Sequence, residues 1–83
     1  MTLKFYYSMC KPNSNTITKL GQKIRIERQK RKMSQEKLAE LADLNRNFVC
    51  MIERGETNLT IKKLENIANV FNMDIKDLFS FVI

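Results

Sequence analysis

Arg46 and Asn47 stand at the start of a segment whose residue types change with helical spacing. One side of the segment carries Asn47, Cys50, Met51 and Arg54, at positions i, i+3, i+4 and i+7. The other side carries Asn45, Phe48, Val49 and Ile52. An arginine can donate two parallel hydrogen bonds to guanine, and an asparagine can pair in the same way with adenine. A helix that packs by its apolar side would present these groups to a DNA major groove, so we predict base contacts from Arg46, Asn47, Cys50 and Met51.

Two of these four positions have a second interpretation. Cys50 has basic neighbours and could respond to oxidants, but a small thiol half-buried in a helix is the commoner case. Met51 can contact a thymine methyl group, or it can simply occupy the edge of the helix.

The segment is positioned by a shorter helix and a tight turn that precede it. Ser34 is a good N-cap for that first helix. Its small apolar face consists of Leu38, Ala39, Leu41 and Ala42. Asp43 interrupts the pattern and tolerates the left-handed backbone that such a turn needs. Asn45 can cap the following helix, which runs to Arg54. Gly55 is placed to end that helix with a left-handed backbone conformation.

These features form a recognisable pattern along residues 34–55. It consists of Ser34-Gln35, Leu38-Ala39 and the ending Val49-Cys50-Met51-Ile52-Glu53-Arg54-Gly55. The segment resembles the helix-turn-helix of the lambda-repressor-like (Cro/XRE-type) family. The resemblance extends from about Leu20 to Phe79 and implies an all-α fold, a compact five-helix DNA-binding domain. With Asn58-Leu59-Thr60-Ile61 included, the chain is most similar to the small controller proteins of restriction–modification systems.

The resemblance also implies a function and partners. It implies a transcription regulator that binds double-stranded DNA in a sequence-specific way and controls a restriction–modification system. It also implies that the protein binds an inverted-repeat operator as a homodimer. A prophage-type repressor and an antitoxin-type autoregulator are alternatives within the family. In a different class, the scaffold could serve as a protein-interaction module, which salt-independent association with an acidic protein would reveal. RNA polymerase is a further candidate partner.

Residues outside the recognition segment acquire roles from the same resemblance. The arginine that matches Arg28 pairs in the family with the glutamate that matches Glu53. Such a pair would lock the first helix onto the third and aim the guanidinium at the DNA backbone. Lys32 stands where the family often has glycine. Phosphate contacts are expected from polar groups at helix starts and in a nearby loop: Gln35, Asn45, Phe48, Arg54, Asn58, Thr60 and Lys62.

The remaining chain supplies an extension and three further helices. Residues 1–15 form an N-terminal extension that either packs on the domain or a partner, or is a poorly ordered arm. The DNA-binding domain occupies residues 16–83. Capping residues and apolar spacing predict helices over 17–31 after Thr16, 61–71 after Thr60 and 75–79 after Asp74. Lys30, Arg31 and Lys32 are interpreted as a solvated face, with DNA contact as the alternative.

The C-terminal segment carries more apolar surface than a domain of this size can bury. We expect it to form the homodimer interface, through Ile75, Leu78, Phe79, Phe81, Val82 and Ile83. The alternative is that these side chains complete the core of the monomer.

Composition narrows the classes of function. The 83 residues suffice for one small domain, and the net charge of +6 with a pI near 9.6 indicates an anionic partner such as nucleic acid. The chain has no histidine and no glycine-rich phosphate loop, and its cysteines, Cys10 and Cys50, lie far apart. Glu36 and Glu40 are interpreted as a solvated face. We therefore expect no enzyme, metal site, cofactor or small-molecule ligand. Free thiols and the lack of a long apolar run predict a cytoplasmic protein that does not enter a membrane.

Overall fold

Five helices make up the part of the chain that the computed structural model describes, residues 15–80. They are α1 (Asn15–Lys30), α2 (Gln35–Ala42), α3 (Arg46–Glu53), α4 (Ile61–Val70) and α5 (Ile75–Leu78). No strand occurs within residues 15–80, which confirms the predicted all-α, five-helix class. The predicted extension, apart from Asn15, and the predicted interface residues Phe81, Val82 and Ile83 lie outside the described residues. No helix in the described range is both long and apolar enough to cross a membrane.

Three of the helices begin at the side-chain caps that the sequence predicts. Ser34, Asn45 and Thr60 each accept a hydrogen bond from the backbone N–H three residues further on, at 3.0, 2.8 and 3.2 Å. The prediction for α1 was wrong in one respect: the helix begins at Asn15, so Thr16 lies inside it.

Four helices end in one shared arrangement. A residue with left-handed backbone follows each of α1 to α4: Lys32, Asp43, Gly55 and Asn72, with φ of 54°, 60°, 72° and 58°. The next residue donates its N–H to the carbonyl five residues back in every case, at 3.2, 2.8, 2.9 and 2.9 Å. These are the long hydrogen bonds of the Schellman motif, which satisfy carbonyls that the helix leaves without partners. The predicted left-handed positions at Asp43 and Gly55 are confirmed.

All five helices contribute to one hydrophobic core. Its buried members are Leu20, Ile24, Leu38, Ala39, Ala42, Val49, Ile52, Leu64, Ile67, Ala68, Phe71 and Leu78. Helix α3 packs against α2 and α1, α4 against α2, and α5 against α4 and α1. A β-carbon at Gly21 would overlap the backbone carbonyl oxygen of Ile52, so glycine lets α1 approach α3 closely.

Leu78 corrects the predicted dimer interface. Its side chain is fully buried, because α5 turns it into the core between α1 and α4. The assignment of Leu78 to a surface between subunits is therefore wrong. Ile75 is half-buried against the core, whereas Phe79 keeps 41% of its surface exposed.

A buried carboxylate fixes the end of α1. Glu27 is 4% exposed and accepts hydrogen bonds or ion pairs from Arg31 at 2.8 Å, Lys23 at 3.1 Å and Lys30 at 3.4 Å. The hydrogen bond from Arg31, reinforced by the two lysines, lowers the pKa of Glu27 from 4.5 to about 2 despite the burial. Arg31 also donates to the Phe71 carbonyl at 2.8 Å and stacks on that ring. Arg31 is exposed, as its interpretation in a solvated face predicts, and it is also a structural link between α1 and α4.

Candidate nucleic-acid interface

Helix α3 separates its two faces as the sequence predicts. Val49 and Ile52 are buried in the core, and Phe48 packs partly against it. The opposite face starts with two exposed residues, Arg46 and Asn47, and ends with exposed Arg54. Between them, Cys50 and Met51 are half-buried. The exposed start of α3 therefore offers donors and acceptors that can reach the edge of a base pair.

The turn between α2 and α3 aims this helix outward. Asp43 adopts the left-handed backbone at the end of α2, and the Leu44 N–H returns to the Ala39 carbonyl at 2.8 Å. Asn45 then caps α3. The uncapped N–H groups and the positive end of the helix dipole lie beside Arg46, so the start of α3 favours an anionic partner.

Arg46 has an acidic neighbour from the other helix of the motif. Its Nε atom lies 3.4 Å from Glu36 Oε2, and both side chains are largely exposed, at 55% and 68%. Glu36 belongs to the first turn of α2, so this contact joins the starts of the two helices. Glu40, the other acid considered on α2, is also exposed and lies 3.7 Å from Lys37.

Glu53 is the polar centre that holds α3 in place. Its carboxylate accepts from Arg28 Nε at 2.6 Å, from Arg28 Nη2 at 3.1 Å and from Gln35 Nε2 at 3.1 Å. Arg28 Nη1 donates to the Met33 carbonyl at 2.7 Å. The carboxylate therefore joins α1, α2 and α3 at one point.

The hydrogen bonds to Glu53 change the predicted DNA-backbone contacts of Arg28 and Gln35. The Arg28 side chain is 11% exposed and its guanidinium is bonded through all three nitrogens, so it faces the protein interior rather than a DNA backbone. The Gln35 side chain, expected to contact phosphate, is half-buried with its amide directed at Glu53. The backbone N–H of Gln35, at the start of α2, is the group of this residue that can still face an anion.

The other predicted phosphate contacts differ in what they can donate. Phe48 donates its backbone N–H to the Asn45 cap at 2.8 Å, so the structure does not offer that amide to a phosphate. Asn45 and Thr60 use side-chain oxygens as caps, which leaves the amide nitrogen of one and the hydroxyl proton of the other as donors. Asn58, like these two, is exposed.

Two of the expected phosphate contacts are cations with acidic neighbours. Arg54 Nη2 lies 3.1 Å from Glu56 Oε1, and Lys62 Nζ lies 3.5 Å from Glu65 Oε1. Both cations are largely exposed, so these ion pairs are weak and a phosphate can compete for them.

Sequence reasoning missed a cation beside the start of α3. Lys63 Nζ lies 4.4 Å from the centroid of the Phe48 ring. Lys63, Phe48 and Asn45 line one shallow concavity, together with Asp43 and Leu44. The preceding residue, Lys62, is a predicted phosphate contact, whereas Lys63 is not. Only the fold shows that the Lys63 side chain reaches across from α4 to α3. No group of three or more potential metal-ligating side chains occurs among the described residues.

Comparison with known proteins identifies this arrangement. The family model described as helix-turn-helix matches residues 24–78, most of the chain and all of the α2–turn–α3 unit. The chain belongs to the Cro/XRE-type helix-turn-helix family. Helix-turn-helix regulators of this family bind double-stranded DNA, and α3 occupies the place of their recognition helix.

Several relatives of this helix-turn-helix chain carry informative names. The control protein C.BamHI of Bacillus amyloliquefaciens is 44% identical over 62 residues, which are 74% of this chain and 76% of that protein. The control protein C.SmaI of Serratia marcescens is 33% identical over 61 residues, covering 74% and 73%. The crystal structure of the restriction-modification controller protein C.AhdI from Aeromonas hydrophila is 32% identical, with a TM-score of 0.73, covering 75% of this chain and 94% of that one. The predicted resemblance to controller proteins is thereby confirmed.

Proposed function

We propose that this protein is a homodimeric transcription regulator that binds an inverted-repeat operator and controls the genes of a restriction–modification system. One observation carries the DNA-binding part: the exposed start of α3 presents Arg46 and Asn47, while the other face of the helix is buried in the core. The controller part rests on similarity to proteins named as control proteins of such systems.

Within this proposal the exposed residues divide into two groups. Arg46 and Asn47 read base edges through bidentate hydrogen bonds, and Cys50 and Met51 lie behind them at the groove floor. Phosphate contacts come from the start of α2 at Gln35 and from Asn45, Arg54, Asn58, Thr60 and Lys62. The phosphate contacts supply affinity that depends on salt, whereas the base contacts supply the choice of sequence.

Dimerisation follows from the small number of base contacts that one α3 can make. A single recognition helix gives too little discrimination against the many competing sites of a genome. Two symmetric copies double the contacts and require an inverted repeat with half-sites about one helical turn apart. The proposed interface consists of Ile75, Phe79, Phe81, Val82 and Ile83. RNA polymerase is the proposed partner once the dimer is on DNA, and the cytoplasm is the proposed compartment.

The proposal is tested by selecting binding sites from a library of random duplexes with the full chain. Enrichment of one inverted repeat, together with binding that weakens steeply as salt rises, is the expected result. Selection of no sequence would contradict the proposal. Association with acidic proteins that does not change with salt would favour the protein-interaction module instead.

The interface is tested separately by replacing Phe81 and Val82 with aspartate. A carboxylate that meets its own image across a two-fold axis is strongly unfavourable, so the double variant should sediment as a folded monomer and bind only half-sites weakly. A variant that stays dimeric would place the interface elsewhere, with the aromatic N-terminal segment as the next candidate.

A further inference from the structure

The contact between Glu36 and Arg46 is unusual for a surface that should attract DNA. The chain has a net charge of +6, yet the arginine at the start of α3 has a carboxylate 3.4 Å from its Nε atom. Both side chains are more than half exposed, so the pair contributes little to folding stability. A carboxylate at this place also repels the phosphates of any DNA that approaches. Neither folding stability nor affinity for DNA therefore explains this contact.

The geometry of the guanidinium supplies an explanation. Glu36 approaches through Nε, the nitrogen on the stem side of the fork. The two terminal nitrogens then stay available, and a guanine accepts two parallel hydrogen bonds from such a pair through O6 and N7. A carboxylate beside Nε favours one range of rotations of the planar group, so less side-chain freedom is lost when the fork meets the base.

We infer that Glu36 is a positioning residue that sets the sequence specificity of Arg46. It holds the fork in the orientation that guanine recognises, and it competes with phosphate for the same cation when the bases do not match. The inference rests on the proposed function, because it requires Arg46 to read a base. It predicts that removing the carboxylate strengthens binding to random DNA and reduces discrimination at the guanine that Arg46 contacts.

The chain offers a matched control for this inference. Glu40 lies one turn further along α2, is as exposed as Glu36, and has a lysine rather than Arg46 as its neighbour. Glu40→Gln removes the same charge from the same helix and leaves Arg46 unchanged. Both glutamine variants should melt within a few degrees of the wild type, because exposed pairs contribute little to stability.

The experiment uses the duplex that the wild-type chain selects from a random library, the same duplex with the guanine that Arg46 contacts replaced in each half-site, and a shuffled duplex. Glu36→Gln should bind the shuffled duplex about fivefold tighter, the size of one close charge–charge contact in water. Its affinity for the selected duplex should rise less, so the ratio between the two affinities falls. The penalty for replacing the guanine should shrink as well. Glu40→Gln should change both affinities by the same factor.

The double variant Glu36→Gln/Arg46→Ala separates positioning from direct contact. If Glu36 acts through Arg46, the glutamine change in the Arg46→Ala background alters all three affinities equally. If the glutamine change still alters the ratio of affinities for the selected and the shuffled duplex in that background, Glu36 contacts a base itself, for example a cytosine amine. That result would overturn the inference. An unchanged ratio in Glu36→Gln, or the same change in Glu40→Gln, would overturn it too. If no duplex is selected at all, the proposed function and this inference fail together, whereas the other failures affect the inference alone.

Discussion

Replacing Glu53 with glutamine tests what holds the recognition helix in place. The carboxylate accepts three hydrogen bonds, two from Arg28 and one from Gln35, and its side chain is 3% exposed. A glutamine has nearly the same shape but offers one acceptor oxygen, and its amide nitrogen would face the nitrogens of its former donors. Arg28, whose side chain is 11% exposed, would lose its counter-ion, and water has little access to replace it.

The structure sets the size of this effect. Removing one partner of a buried ion pair costs about 3–5 kcal/mol. A domain of this length has a total stability of about 4–12 kcal/mol, taken from roughly 0.05–0.15 kcal/mol per residue. A loss of 1 kcal/mol lowers the melting temperature of such a domain by about 4–8 °C, so Glu53→Gln should lower it by at least about 12 °C. DNA binding should weaken as well, because α3 loses its link to α1 and α2.

Thermal unfolding of the full chain, followed by circular dichroism, measures this change. Glu56→Gln is the matched control, because Glu56 pairs with Arg54 at 3.1 Å but is half exposed. That control should cost less than about 1 kcal/mol. If Glu53→Gln and Glu56→Gln shift the melting temperature equally, the buried centre does not stabilise the fold and the reasoning is refuted.

Three further predictions concern stability and are each read from urea unfolding. Because the folded-state pKa of Glu27 is about 2, below its ordinary 4.5, its contribution to the free energy of unfolding is complete above pH 4.5 and is lost as pH falls toward 2. This contribution is on the order of 3 kcal/mol, so Glu27→Gln should lose less stability than the wild type over that pH range. Equal losses of stability in the two proteins would count against this prediction. Lys32→Gly should raise stability by about 1 kcal/mol, because φ of 54° strains any residue with a β-carbon, while a decrease would show that the lysine is tolerated without strain. Gly21→Ala should lower stability by about 1–3 kcal/mol, because the new β-carbon meets the Ile52 carbonyl. This loss should exceed the gain that alanine brings to a helix. An increase in stability would disprove the close approach of α1 and α3.

Local features of this fold could be predicted from the sequence because their causes are local. Ser34, Asn45 and Thr60 cap helices through a backbone N–H three residues away, so residue type and position suffice. The left-handed ends at Asp43 and Gly55 depend in the same way on backbone sterics. The buried face of α3 followed from helical spacing alone.

Contacts between distant parts of the chain could not be predicted in the same way. Arg31 stood in a run of basic residues, and nothing local indicates that it would reach the Phe71 carbonyl 40 positions away. Glu36 and Arg46 meet only because the turn brings two helix starts together. Leu78 lies in a nearly continuous apolar run, in which spacing does not show which side chain the core receives.

The central claim is that Arg46 reads a base at the exposed start of α3, and one set of titrations tests it most directly. Wild type, Arg46→Ala and Arg46→Lys are titrated at one fixed salt concentration against the selected duplex and a shuffled duplex. Arg46→Ala should lose about 1–3 kcal/mol on the selected duplex and much less on the shuffled one. Arg46→Lys keeps the charge but not the fork, so it should bind shuffled DNA like the wild type and still lose the preference. Equal losses on both duplexes, or full recovery by lysine, would show that Arg46 is only a phosphate contact and would contradict the account.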